Sequence, residues 1–319
     1  MLKNGNGLAW PGGKRIAVMI TIDFAGEFLR YSLLGEDGTG FSDRSRGLYA
    51  QHEGLTRLLD MLKRVNQKAT FFVAGHIVDD YPESVQAIIQ AGHELGCCGY
   101  EYVQLQGASL DEFAQDLHKG RHSLEQALKD AGKSQKEFGY RAPFGSLSEV
   151  SLKMLDDESY VYDSSLCDCD WAYVHKDSEL VELPQECGID DFSYFYFSYA
   201  DKLTITDNNP SSYVYNIWKD YFDELAEEGD KVFVLKLHPQ LIGRASRIRM
   251  VERLIAYMRK EGAWITTCSE VASYVKAYNE EHQVPADYPC MTVQEVLAAV
   301  NRPELRADFW KGGENNAMA

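Results

Sequence analysis

Several features that would place a chain in a large functional class are missing from this one. None of its 319 residues falls in a window approaching the roughly 18 apolar residues of a membrane-spanning helix. The opening stretch, MLKNGNGLAWPGGKR, has no apolar run that would serve as a secretory signal, so a cytoplasmic location is expected. Positive charge is scarce: 32 Lys plus Arg face 49 Asp plus Glu, a formal net charge of -17. Such an acidic surface repels phosphate backbones and anionic lipid, which argues against nucleic acid and membranes as partners. The glycine fingerprint of a dinucleotide site is absent, and so is any low-complexity segment. The seven cysteines (Cys97, Cys98, Cys167, Cys169, Cys187, Cys268 and Cys290) are an odd number and are read as reduced thiols, not a disulfide framework.

What is present is an alternation of strand and helix. Arg15 to Ile22 is an almost unbroken apolar run, as in a strand buried on both faces, and Ala69 to Ala74 repeats it. Leu55, Leu58, Leu59 and Leu62 recur at helical spacing between them. Pro82 opens a helix that Gly92 closes, and Ser109 with Glu112 forms a capping box ahead of another. Further helices are expected over Val150 to Leu155, Ser212 to Glu228, Ile248 to Arg259 and from Ser269. Strands are expected at Tyr160 to Tyr162, Val181 to Leu183, Val232 to Leu237 and Ala263 to Thr266. About seven βα units with short connections predict a closed or nearly closed parallel barrel, the alternative being a doubly wound open sheet. Residues 1–278 would form this barrel, and 279–319 a helical tail that fits an oligomerisation or docking role; a homo-oligomer is expected.

In a parallel barrel the chemistry sits where strands give way to loops. The polar residues there are Asp23 and Glu27 after the first strand, the segment Gly92 to Tyr102 around the third, Arg141 after the fourth, Asp163 after the fifth and His238 after a later one. A carboxylate, a guanidinium and an imidazole at one mouth suffice for hydrolysis. Arg141 would keep Asp23 ionised, Asp23 would take a proton from water, and His238 would protonate a leaving group. A buried Asp–Arg pair that only satisfies itself, and a histidine that merely ends a strand, are the structural alternatives.

The ordered segments TIDFAGE, RGLYAQHEGLTRLLDMLKRV, KATFFVAGH, AGHELGCCGYEY, GYRAP, YDSSL, VELP with IDD, and LHPQLIGRASRIRMVERLIAY resemble the polysaccharide deacetylase (NodB-homology) family. The resemblance runs from about Trp10 to Val275 and is strongest to the branch holding peptidoglycan deacetylase-like proteins, allantoinases and cyclic imide hydrolases. It implies a deformed (β/α) barrel of seven or eight units. It also implies that Asp23 is the catalytic base, Arg141 its orienter and His238 the assisting acid, with Glu182, Pro184 and Asp191 shaping the pocket wall.

The departures are as informative. The family's metal is held by an aspartate two residues after the base and by two histidines four apart; here those positions are Ala25, Cys98 and Tyr102. Alanine has no donor and a neutral phenol is a poor ligand, so no metal and no cofactor are expected. A substitute thiolate site built from Cys98 with Cys97, Cys167, Cys169 or His238 lacks the two-to-four-residue ligand spacing of ordinary zinc sites. Cys98 as a nucleophile would need His238 as its base. The expected function is metal-independent hydrolysis of a non-peptide C–N bond in a small molecule or sugar, with Glu27, Tyr102, Trp171 and Asp191 contacting substrate. The alternative is a degenerate homologue that only binds.

Overall fold

The nine residues IAVMITIDF form β1 (Ile16–Phe24), and every one of them is buried. Apolar side chains on both faces suit only the middle of a covered parallel sheet. In this computed structural model, which describes residues 7–27, 41–102, 109–176, 178–196 and 209–284, β1 has that place. It pairs in parallel with β8 (Lys231–Leu237) on one side. On the other it pairs with β2 (Thr70–Val73) along its second half and β9 (Trp264–Thr266) along its first. The sheet continues from β2 through β3 (Glu94–Cys97), β4 (Gly139–Tyr140) and β5 (Tyr162–Asp163) to β7 (Val181–Glu182). At that edge β6 (Tyr173–Val174) runs antiparallel to β7.

The curled sheet comes round on itself through a single parallel bridge between Asp190 and Lys236. It is the deformed (β/α) barrel expected, with one antiparallel hairpin that the strand–helix alternation did not signal. Helices pack outside it, and the Ser109–Glu112 capping box is formed on Leu110–Asp130. The long helix Ser211–Glu228 ends where Gly229 turns to a φ of 75°. The first strand is longer than its apolar run suggested, so Asp23 lies within β1 and not after it. The last described helix, Cys268–His282, continues past residue 278; the remainder of the tail, from 285, lies outside the described residues.

One end of the barrel is plugged. Thr70 and Glu94 are the first residues of β2 and β3, and the Glu94 carboxylate accepts from Thr70 Oγ1 and Tyr162 Oη at 2.7 Å each. It also accepts from the Ser269 N–H in the first turn of Cys268–His282, so it caps that helix. The opposite end, at the carboxyl ends of the strands, is where the polar side chains gather. There the chain leaving β8 passes against the helix Leu55–Arg64. A Cβ on Gly54 would collide with the Pro239 carbonyl, so a glycine is needed for the backbone after His238 to take this path.

Candidate active site

Register decides which side chains share the barrel interior. Thr21 of β1 is level with Lys236 of β8. Two residues further along, Asp23 and His238 return to the same face. Arg141 enters from the end of β4, its backbone N–H donating to Cys97 O at 2.9 Å. Its Nη1 donates to Asp23 Oδ1 and to Thr21 Oγ1, both at 2.8 Å. Nε and Nη2 donate to the backbone and side-chain oxygens of Ser164 at 3.0 and 2.9 Å. The guanidinium also lies 4.0 Å from the centre of the Phe72 ring. This buried cation therefore makes four hydrogen bonds and one ring contact.

The second oxygen of Asp23 faces two other cations, Lys236 Nζ at 3.7 Å and His238 Nε2 at 3.9 Å. Burial alone would raise the Asp23 pKa, but Arg141, Lys236 and His238 outweigh it and hold the carboxyl below its ordinary range. Behind the imidazole, Asp191 is fully buried: Oδ1 lies 2.6 Å from His238 Nδ1, and Oδ2 accepts from the His238 backbone N–H at 2.9 Å. Burial would push His238 down, yet Asp191, Asp190 and Asp23 hold it above the usual histidine value. The Nδ1 contact leaves Nε2 turned towards Asp23. The predicted Asp23, Arg141, His238 and Asp191 thus converge.

Other predicted residues are placed differently. Tyr102 is buried close enough to Asp23 to feel its charge, and its backbone is left-handed, with φ 52°. Its ring meets that of Phe144, also left-handed at φ 57°, edge-on at 5.8 Å. Two left-handed aromatic residues in contact are costly conformations of the kind that accumulates at functional sites. Glu27 is buried, but its carboxylate accepts from Tyr81 Oη at 2.7 Å and Gln51 Nε2 at 3.1 Å. Trp171 does not join the group. Its ring lies 5.0 Å from Lys231 Nζ at the start of β8, five residues and roughly 16 Å of strand from Lys236.

Glu182 lies beneath the loop that carries Ser164. It accepts from the Ser165 and Leu166 N–H groups at 3.1 Å each and sits 3.2 Å from His175 Nε2. Burial pushes it up to about 7. Burial, followed by the charge of Glu182, raises Asp163 well above its ordinary value, and its Oδ1 accepts from Ser165 Oγ at 2.8 Å to support this loop. His93 accepts from the Ala69 N–H at 3.2 Å, and His76 contacts Tyr100 O at 2.6 Å through Nδ1.

The donor set expected to replace a metal site does not fit a divalent ion. Ala25 offers no ligand atom. Burial, followed by the charges of Cys97 and Asp23, raises the Cys98 thiol well above its ordinary value, and burial does the same to the Tyr102 phenol. Burial thus disfavours the thiolate that Cys98 would need as a nucleophile. Burial also raises Cys97 and Cys167 to about 11 and Cys169 to about 12. Among the described residues, the potential ligands that cluster are Asp190, Asp191 and His238. That group is already neutralised, by the Asp191–His238 contact and by Lys236 Nζ at 3.3 Å from Asp190.

The chain is similar to known proteins. A sequence model described as polysaccharide deacetylase matches residues 40–162. A peptidoglycan deacetylase of Helicobacter pylori is 29% identical over 266 residues, 75% of this chain and 88% of that protein. A polysaccharide deacetylase domain is thus matched over residues 40–162, and similarity to a deacetylase extends over three quarters of the chain. The crystal structure of a candidate polysaccharide deacetylase of Mycobacterium smegmatis superimposes with a TM-score of 0.79 at 29% identity, over 88% of this chain and 96% of the other. The PuuE allantoinase shares the deacetylase fold, with a TM-score of 0.71 at 22% identity over 84% and 92%.

The residues that sequence reasoning passed over are Lys236, Asp190 and the supporting Ser164. Lys236 carried a signal. It is a lysine inside the apolar strand KVFVLKL, two residues before His238 and hence of the same parity. No such signal marked Ser164, because its role depends on β4 and β5 lying side by side.

Proposed function

We propose that this chain is a hydrolase of the polysaccharide deacetylase superfamily and cleaves the C–N bond of a small cyclic amide or ureide without a divalent metal. One observation carries the reading: the buried carboxylate of Asp23 faces the imidazole of His238, backed by Asp191, across 3.9 Å, while Ala25, Cys98 and Tyr102 offer no carboxylate or imidazole ligand. Asp23 Oδ2 orients water and takes its proton, and His238 Nε2 gives its proton to the departing nitrogen. Arg141 fixes the carboxylate, since its fork engages Thr21 and Ser164 as well as Asp23.

Aromatic walls favour a small, flat substrate. The Phe192 ring lies 5.8 Å from that of His238 and stacks on Tyr196 at 4.2 Å, and Tyr102 with Phe144 forms a second wall. The test is a panel of hydantoins, imides, ureides and N-acetylated sugars assayed with and without chelator. Hydrolysis of a cyclic amide or ureide at a rate unchanged by chelator is the expected result. Turnover only with added zinc, or confined to acetylated sugars, would overturn the proposal. Binding that raises the melting temperature with no turnover would instead indicate a homologue that captures ligand without reacting.

A further inference from the structure

We propose that Lys236 is the electrophilic group of this site, its ammonium receiving the substrate's carbonyl oxygen and stabilising the oxyanion formed on attack by water. The inference rests on the hydrolase reading above and assigns the one task there left without a residue.

Among the described residues, three basic side chains surround Asp23, and Lys236 is the one placed for this work. Arg141 is 1% exposed, and its donors are directed to Asp23, Thr21 and Ser164. His238 is 3% exposed; Asp191 engages Nδ1, and Nε2 is reserved for the leaving nitrogen. The Lys236 side chain is 15% exposed, the most of the three. The level pairing of Lys236 with Thr21, whose hydroxyl meets Arg141, places it on the inner face beside Asp23.

The distances fit as well. Asp190 Oδ2 lies 3.3 Å from Nζ and holds the ammonium in place, while Asp23 Oδ2, at 3.7 Å, is beyond a direct hydrogen bond. An ammonium carries three donors, so others remain for a carbonyl oxygen next to Asp23. A fixed cation on the developing charge, in a site shielded from water, does the work that a Lewis acid does elsewhere.

The step balances as follows. Water oxygen bonds to the carbonyl carbon as Asp23 Oδ2 takes one of its protons, and the C=O π pair moves onto the oxygen beside Lys236 Nζ. When that pair re-forms the double bond, the C–N bond breaks and the nitrogen takes the proton of His238 Nε2. The proton left on Asp23 then passes to His238, restoring both groups. The product is one ring-opened molecule carrying a carboxylic acid and the freed N–H group, the elements of one water having been added.

The experiment uses phenylboronic acid, which becomes a tetrahedral anion on adding hydroxide, titrated calorimetrically into the full-length protein and its variants. Wild type should bind, Lys236→Met should bind at least tenfold more weakly, and Lys236→Arg should stay within about threefold, because the charge is retained. In turnover, Lys236→Met should lower kcat by about a hundredfold with KM little changed, a split that loss of a merely structural lysine would not produce. Lys236→Gln carries the same test should the methionine variant fail to fold. Boronate binding that is equal in wild type and Lys236→Met, or absent from wild type, overturns the assignment. Lack of metal-free turnover by wild type defeats the hydrolase reading alone, since the boronate titration still decides what Lys236 does.

Discussion

Replacing Asp191 with asparagine removes the charge behind His238 and keeps the shape. Asp191 Oδ1 is 2.6 Å from Nδ1, and its second oxygen accepts from the His238 backbone at 2.9 Å. Asparagine can still accept at one of these positions, so the ring should stay in place while losing its main electrostatic support. A hydrogen bond to a charged group contributes about 1.5–3 kcal/mol. At 1.36 kcal/mol per pKa unit this corresponds to a fall of about one to two units for His238.

The sign follows from its role as acid. Activity needs Asp23 ionised and His238 protonated, so it rises through the depressed Asp23 value and falls as pH passes the raised His238 value. In Asp191→Asn the alkaline limb should therefore move about one to two pH units towards acid, with the acid limb left in place. At a pH above the new limb, kcat/KM should drop roughly ten- to a hundredfold and recover on acidification. The assay is a full pH–rate profile of both proteins on one hydrolysed amide from the panel. An unmoved alkaline limb, or a loss equal at every pH, would refute His238 as a protonated acid tuned by Asp191.

Asp23→Asn should lower kcat by about a hundredfold or more, and should also cost about 3–5 kcal/mol of stability, because Arg141 is left buried without its counter-charge; denaturant melts alongside kinetics check both. Tyr102→Phe should cost less than tenfold in kcat if its neutral phenol is only a secondary donor, and a loss matching that of Asp23→Asn would contradict this. Elemental analysis of protein purified by gel filtration should find well under one zinc per chain; a retained stoichiometric ion would refute metal independence. Burial holds His93 at about 4 against an ordinary 6.5, so its neutral form favours the fold. That stability is fully present above pH 6.5 and is lost as pH falls towards 4, about 2 kcal/mol between pH 7 and 4.5. His93→Gln should flatten that part of the stability profile, as read by urea melts.

Some of this was determined by the sequence on its own. The two-sided apolar run of β1 admits only a buried parallel strand, and the capping box and the glycine after Glu228 set helix ends through local backbone geometry. Asp23, Arg141 and His238 were legible because functional side chains in such a barrel gather at the carboxyl ends of strands, whatever lies between them in the chain. Glu27 and Trp171 show where that reasoning stops. Nearness in sequence placed Glu27 beside Asp23, yet Tyr81 and Gln51 occupy its carboxylate, and Trp171 follows β5 only to cross to the start of β8.

What the tertiary structure alone decided was which charges face one another. The lateral register of β1 and β8 sets Lys236 level with Thr21, and the bridge closing the barrel brings Asp190 to Lys236. Register is a property of two strands that are far apart in the chain, and a slip of one residue would turn Lys236 and His238 away from the interior. The ionisation states follow from the same packing. Asp23 is held below its ordinary pKa, Asp163 above its own, and the Cys98 thiol and Tyr102 phenol keep their protons because of burial and the sign of their neighbours, neither of which is written at those positions.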